Sequence, residues 1–403
     1  PAQSRGRGGG VQRAGKIARA RGKPARTFAN ILFSMRAGLN KLANANIVAA
    51  HAYTPGEQPD GAGWVKLNTN ENPHPPSPKV VVALKKELEK SGSRLRLYPN
   101  PTSKQLREAL GKFHDVPADW ILAGNGSDDI LNLLMRVFAG PCRAAGMTSP
   151  SYSLYPVLAA LQNARLLEIP FDKDFTLDVP RIAKCGANIF FLTSPNAPSG
   201  VGLPTAKIAA LAKKFPGILV VDEAYAPFAN ENAAELVKKF PRLVITRTFS
   251  KAFSLAGARV GYALAHPSII ALLDRARDSY NLDRLAQAAT LAAIEDMAYY
   301  QHTIARVVKT REAFLKKIRA LGWFAHPSQA NFVLIEPADA QGKTGPAVAA
   351  ALFQFLKNRK ILVRYFANHP LTRASLRVTI GADPEMAALT AALDSWLHLA
   401  PRR

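Results

Sequence analysis

Cysteine is scarce: the 403-residue chain carries only Cys142 and Cys185. Two isolated thiols with no CxxC pair cannot build a disulfide framework, and they predict a reducing, cytoplasmic setting. Eight histidines form no HExxH pattern and no His/Cys cluster, so the sequence predicts no metal. No uninterrupted apolar run approaches the roughly 18 residues of a membrane-spanning helix, so no membrane association is expected. Acid is missing from one end. Residues 1–56 hold ten Lys or Arg and no Asp or Glu.

Positive charge dominates the whole chain, with 53 Lys and Arg against 29 Asp and Glu, a formal net charge of +24. Such a field raises the local concentration of anionic partners without choosing among small phosphates, nucleic acid and anionic lipid. Residues 1–47 read as a disordered basic extension, with the low-complexity run RGRGGG at 5–10 and no apolar periodicity over the first thirty residues. A nucleic-acid arm, a transit-like segment and an upstream extension from a misassigned start all fit it. The third is favoured, with Met35 as the true first residue. The segment is too short and too rich in glycine for a folded DNA-binding domain, so no nucleic-acid partner is expected.

With 48% hydrophobic and 20% charged residues, the remainder is globular in composition and long enough for a large domain and a smaller one. Residues 48–78 read as an arm joining the small domain, 79–295 as the large domain and 296–403 as the C-terminal small domain. The segment 70–78 (NENPHPPSP) has four prolines in nine residues and must be extended or turned. Helical spacing of apolar residues marks 80–90, 130–138 and 204–215. Short apolar runs at 189–193 (IFFLT), 218–221 (ILVV) and 243–246 (LVIT) predict strands buried on both faces. Further strands are expected at 64–68, 332–335, 361–365 and 376–380. Alternation of this kind predicts an α/β fold with a mostly parallel central sheet sandwiched by helices, followed by a smaller α+β layer.

Three polar groups follow those buried runs: Asn196, Asp222 and Lys251. In open α/β sheets ligands bind beyond the carboxyl ends of the strands, so the three can converge on one pocket. A lysine amine condenses with an aldehyde, and a carboxylate holds a protonated pyridine nitrogen. Pyridoxal 5′-phosphate requires that pairing, because its ring accepts electrons only while the nitrogen keeps its proton. Asp222 would keep that proton, Tyr225 and Asn196 could donate to the ring's 3′ oxygen, and Lys251 would anchor the ring and then move a proton. A phosphate cradle is expected at Gly124–Asp128, a stretch that includes Ser127 and Asp128 and precedes the helix at Ile130, with Ser250 and Arg259 adding a hydroxyl and a charge. Tyr152, in a turn after an expected strand, could stack on the ring. Glu223 reads as structural, and neither His74 nor His114 has a visible partner.

The blocks NENP (70–73), LYP (97–99), GNGSDD (124–129), SPSY (149–152), SPNAPSG (194–200), VDEAY (221–225), RTFSKAFSLAGARVG (247–261) and LRVTIG (376–381) occur in this order. Together they resemble the fold-type-I pyridoxal-phosphate aminotransferases. NENP and the SKAF–LAG–R block are similar to the histidinol-phosphate aminotransferase group within them. The resemblance implies transamination of L-histidinol phosphate with 2-oxoglutarate, giving imidazole-acetol phosphate and L-glutamate in histidine biosynthesis. Aromatic amino acid aminotransferases and threonine-phosphate decarboxylases share most of the blocks and stand as alternatives. It also implies a homodimer in which Tyr98 reaches the cofactor phosphate of the neighbouring subunit. Arg377 would grip the anionic group of the substrate, with Asn70 and Tyr53 on the substrate side. The chain departs from the family pattern at Ala197, Ser199, Ser254 and Ala258, none of which removes a catalytic group.

Overall fold

A computed structural model of the chain describes residues 38–398. Most of the basic extension, Met35 included, lies outside the described residues. The chain divides into two units after Ala49. The first contributes the short helix Ala45–Ala49. All that follows concerns the second.

Thirteen strands are described, in three sheets. In chain order the first eight are β1 (Val65–Lys66), β2 (Ile121–Gly124), β3 (Ala145–Ser149), β4 (Leu166–Pro170), β5 (Ile189–Thr193), β6 (Ile218–Asp222), β7 (Leu243–Thr248) and β8 (Gly261–Ala265). The last five are β9 (Phe324–Ala325), β10 (Phe332–Glu336), β11 (Ile361–Leu362), β12 (Arg364–Tyr365) and β13 (Leu376–Thr379). The central sheet has seven strands in the order β2-β8-β7-β6-β5-β3-β4. It is parallel from β4 to β7, and β8 runs antiparallel to both of its neighbours. A smaller antiparallel sheet, β12-β13-β10-β9, forms late in the chain, and β1 pairs in parallel with β11.

The central strands are buried along both faces, and their side chains divide by parity. Leu219 and Val221 of β6 join one apolar cluster with Phe190, Leu192 and Ile245, while Val220 packs with Ile189, Phe191 and Val244 in the other. Thr193 and Asp222 end their strands in register, so both fall on the face of the second cluster. That face is covered by the helices Ser127–Phe138 and Leu154–Leu161, whose Leu134, Tyr155 and Leu158 are buried against it. Among the described residues no helix is long and apolar enough to cross a membrane.

Two expectations need correction. The run at 361–365 is not one strand. It breaks at Val363, because Ile361 and Leu362 pair with β1 while Arg364 and Tyr365 pair with β13 in another sheet. His114 does have a partner: it is buried, with Nε2 2.9 Å from the Tyr262 hydroxyl, and burial holds its imidazole down to about 3.

Glu223 is paired as well as buried. Its Oε2 accepts from Arg247 Nε at 2.9 Å and Nη2 at 2.7 Å, and the backbone N–H of Ala233 donates to its other oxygen. A fork of this kind satisfies both ions, and removing one partner leaves a buried charge uncompensated. We expect Arg247→Met to lower unfolding free energy by about 3–5 kcal/mol in urea titrations. Adding Glu223→Gln to that variant should restore part of the loss.

Candidate active site

A cavity of about 260 Å³ opens at the carboxyl ends of the parallel strands. Thr193 of β5, Asp222 of β6 and Thr248 of β7 line it, as strand-end placement requires. The loops beyond those strands add Tyr225, Ser250 and Lys251. The start of the helix Ser127–Phe138 adds Ser127 and Asp128, and the 50–70 segment adds Tyr53 and Asn70. Tyr152, Arg259 and Arg377 complete the set expected from sequence that the structure brings together.

Asp222 is almost completely buried, and no cation is paired with it among the described residues. Its oxygens accept from the Tyr155 hydroxyl at 2.9 Å and the Ala224 N–H at 3.3 Å. Burial pushes its carboxyl up to about 6, against the pull of the Tyr155 bond. Lys251 is half-buried, and its Nζ donates to the Thr69 carbonyl at 3.1 Å. Burial, followed by repulsion from Arg377, holds its amine down to about 8. A neutral, nucleophilic amine is therefore accessible far below the pH at which a solvated lysine offers one.

Segment 68–72 ties these groups to the smaller sheet. Asn70 has φ of 57° and is buried. Its Nδ2 donates to the Tyr225 hydroxyl at 2.9 Å, and Thr379 Oγ1 donates to its Oδ1 at 3.1 Å. Asn331 Nδ2 donates to its carbonyl at 3.0 Å. Two residues on, Asn72 Nδ2 donates to the carbonyls of Lys251 and Ala252. Because Tyr225 accepts from Asn70, its own proton is free for another acceptor. Burial keeps that phenol above its ordinary range.

The helix Ser127–Phe138 starts after Gly126 with no side-chain cap. Its first N–H groups and its positive end are thus available to an anion. A Cβ on Gly126 would lie 2.6 Å from Arg259 Nη2, and one on Gly261 would lie 2.3 Å from the Ser127 N atom. Glycine at both positions lets guanidinium and backbone amides approach closely. Arg259 Nη1 reaches Ser250 Oγ at 3.4 Å, and Nη2 reaches Asp128 Oδ2 at 3.3 Å. The other Asp128 oxygen accepts from Tyr152 at 3.0 Å. Arg377 lies over the rings of Phe332 and Phe366 at 5.1 and 5.2 Å, and one η nitrogen donates to the Asn68 carbonyl. Its buried Nε has no hydrogen-bond partner among the described residues, and burial lowers the guanidinium to about 10. An unsatisfied donor on a desolvated cation is suited to an anion.

Two expected residues lie elsewhere. Asn196 is fully buried but does not line the cavity. Its amide donates to the Pro150 carbonyl and accepts from Ser199, shaping the 194–200 turn. Tyr98 is 78% exposed and outside this cavity, stacked on Tyr280 with ring centroids 4.5 Å apart. Sequence reasoning missed Arg364, which lines the cavity, Tyr155, which donates to Asp222, and Thr193, which bonds the Tyr155 hydroxyl. Thr193 could have been found: it closes the IFFLT run as Asp222 closes the next one. Tyr155 had no such signal.

With this geometry in hand, comparison with known proteins defines the class. The family model for aminotransferase class I and II matches residues 62–395, and the chain belongs to that family. Within it, the chain is 46% identical to a histidinol-phosphate aminotransferase of Geobacter sulfurreducens, over 87% of this chain and 97% of the relative. It is 41% identical to the enzyme of that name from Microcystis aeruginosa, covering 85% and 94%. Among solved structures, the histidinol-phosphate aminotransferase of Sinorhizobium meliloti in complex with pyridoxal-5′-phosphate superposes with a TM-score of 0.75 at 27% identity, covering 82% of this chain and 90% of that one. The L-threonine-O-3-phosphate decarboxylase of Porphyromonas gingivalis shares the fold, with a TM-score of 0.71 at 23% identity over 83% and 99%.

The buried, unpaired Asp222 has a consequence for the ligand-free chain. A carboxyl raised from 3.8 to about 6 binds its proton in the folded state before the unfolded state does. Stability therefore falls as pH rises through that window, by ~3 kcal/mol for a shift of this size. We expect Asp222→Asn to raise the ligand-free unfolding free energy at pH 8 by an amount of that order and to change little at pH 4. Denaturant titrations at the two pH values check this.

Proposed function

We propose that the chain transfers the amino group of L-histidinol phosphate to 2-oxoglutarate with pyridoxal 5′-phosphate, giving imidazole-acetol phosphate and L-glutamate in histidine biosynthesis. One observation carries the reading. Among the described residues, one cavity joins an amine held near neutrality, a buried carboxylate without a cation, an uncapped helix start with an arginine and a hydroxyl, and an arginine with a free donor. These are the groups that an aldehyde, a pyridine nitrogen, a phosphate and an anionic substrate each require, so the residues fit the cofactor. The histidinol-phosphate aminotransferases matched over nearly their full length support this substrate over the aromatic amino acid and threonine-phosphate alternatives.

When bound, pyridoxal phosphate supplies an aldehyde for the amino group and a protonated ring that accepts the electron pair left on the donor carbon. The protein would do the rest. Asp222 would hold the proton on the ring nitrogen. Tyr225, with its proton freed by Asn70, would donate to the ring's 3′ oxygen, where Asn196 Nδ2, which gives one of its two protons to Pro150, could add a second donor. Tyr152 would cover the ring face. The backbone amides of Ser127 and Asp128, with Ser250 and Arg259, would hold the phosphate. Lys251 Nζ would anchor the cofactor and then take the proton from the donor Cα. Arg377, with Tyr53 and Arg364 nearby, would bind the anionic group of each substrate, and Asn70 would bound the substrate side.

In this reading residues 79–295 form the cofactor domain, and 296–403 with the arm 48–78 form the small domain. Tyr98, exposed on its own subunit, would complete the neighbouring site of a homodimer. A cytoplasmic location suits a biosynthetic enzyme with two free thiols.

The test of the substrate is a parallel assay of histidinol phosphate, phenylalanine and threonine phosphate as donors. Histidinol phosphate should give the highest kcat/KM, by at least about tenfold, the step that 1.4 kcal/mol of transition-state binding supplies. A preference for phenylalanine, or release of carbon dioxide from threonine phosphate, would replace the assignment. Separately, Lys251→Ala should abolish turnover and the visible absorbance of covalently held cofactor.

A further inference from the structure

We infer that Tyr155 is a positioning residue, the last member of a one-way hydroxyl chain that runs from the cavity wall to Asp222 and orients its carboxylate toward the ring nitrogen. The inference rests on the cofactor reading above and adds a residue that neither the motifs nor the cavity lining contains.

The chain has three links. Ser151 Oγ lies 3.0 Å from Thr193 Oγ1, which lies 2.7 Å from the Tyr155 hydroxyl, which donates to Asp222 Oδ2 at 2.9 Å. The first two members line the cavity, Ser151 half-buried and Thr193 1% exposed, while Tyr155 lies behind them and is fully buried. Its polarity follows from counting protons. An ionised Asp222 only accepts, so the single proton of Tyr155 points to it. The Tyr155 oxygen then accepts from Thr193, and the Thr193 oxygen accepts from Ser151. Each donor polarises the next, so the terminal bond is stronger than an isolated phenol–carboxylate contact.

The fold holds this chain rigidly. Thr193 and Asp222 are register partners at the ends of β5 and β6, so their spacing is that of the sheet. Tyr155 is delivered by the helix Leu154–Leu161 and is clamped between Phe191, stacked at 5.0 Å, and Tyr152, edge-on at 5.7 Å. Burial holds its phenol well above the ordinary range, so it remains a donor wherever the chain is folded. On the other side of Asp222, Thr246 of β7 is its register partner. The Ala224 N–H holds Oδ1. A carboxylate without a cation thus has its orientation set by neutral donors, which leaves its charge for the ring nitrogen.

The test compares two ligands of the cofactor-stripped full chain: pyridoxal 5′-phosphate and its 1-deaza analogue, which carries C–H in place of the ring nitrogen. The wild type should bind the natural cofactor more tightly. Tyr155→Phe should reduce that preference about tenfold, the loss expected for one hydrogen bond to a charged group, while leaving affinity for the analogue unchanged. Thr193→Val should reduce the preference by a smaller factor in the same direction, and it decides the matter if Tyr155→Phe does not fold. Equal loss of affinity for both ligands would make Tyr155 a packing residue and overturn the inference, as would no loss for either. A wild type that binds both ligands equally, or neither, would instead overturn the role of Asp222, and this inference with it.

Discussion

Asp222 is a carboxylate buried with no paired cation among the described residues, and the surrounding structure is arranged around it. Asp222 and Glu223 are adjacent, both nearly inaccessible to solvent, and treated in opposite ways. Glu223 is held by Arg247 in a two-pronged ion pair. Asp222 is held by neutral donors, a phenol and a backbone amide among them. Strand alternation makes the difference possible: Glu223 follows the last residue of β6, its N–H still bonds the Thr246 carbonyl of β7, and consecutive side chains on such a path turn to opposite faces. On one face the charge is neutralised and serves packing. On the other it is left available, at a cost the extensive double-sided core offsets.

The second constraint is the chain path through residues 68–72. Asn68 accepts from Arg377, Thr69 from Lys251, Asn70 holds Tyr225, and Asn72 holds the backbone of the Lys251 loop. Four of five consecutive residues therefore connect the strand-end groups of the central sheet with β13 of the smaller sheet. Nearly all of these bonds use backbone carbonyls or short amide side chains, which have few rotamers to lose. The left-handed backbone of Asn70 is part of this arrangement: asparagine tolerates that conformation better than most residues and still supplies donor and acceptor.

Much of this was legible in the sequence, for a physical reason. A strand buried on both faces is a continuous apolar run, so IFFLT, ILVV and LVIT declared themselves, and with them the sheet edge at which Asp222 and Lys251 stand. The antiparallel β8 was not legible, because its GYALA sequence carries no mark of direction. Neither was the break at Val363, where two short pairings with different sheets read as one strand. Side-chain partners were the least visible. Tyr155 meets Asp222 across 67 positions and Thr379 meets Asn70 across 309, distances over which one sequence holds no pairing signal. Asn196 shows the converse: a polar residue at the right edge whose amide the turn itself uses.

The cations of the site explain how one cavity could serve two different anionic substrates in turn. Arg377 is fixed by two aromatic rings and one carbonyl, while its Nε stays unpaired. Arg364 is held by the Pro55 carbonyl and lies 5.5 Å from the Phe366 ring, and Arg377 lies 5.2 Å from the same ring. Two guanidinium groups sharing one aromatic neighbour give a wide, weakly hydrated positive surface instead of a single point of charge. A phosphate and a carboxylate differ in charge and shape, and a rigid single fork would favour one of them. A surface built from two arginines can accept either with the same side chains, which is what alternating amino donors and acceptors in one cavity require.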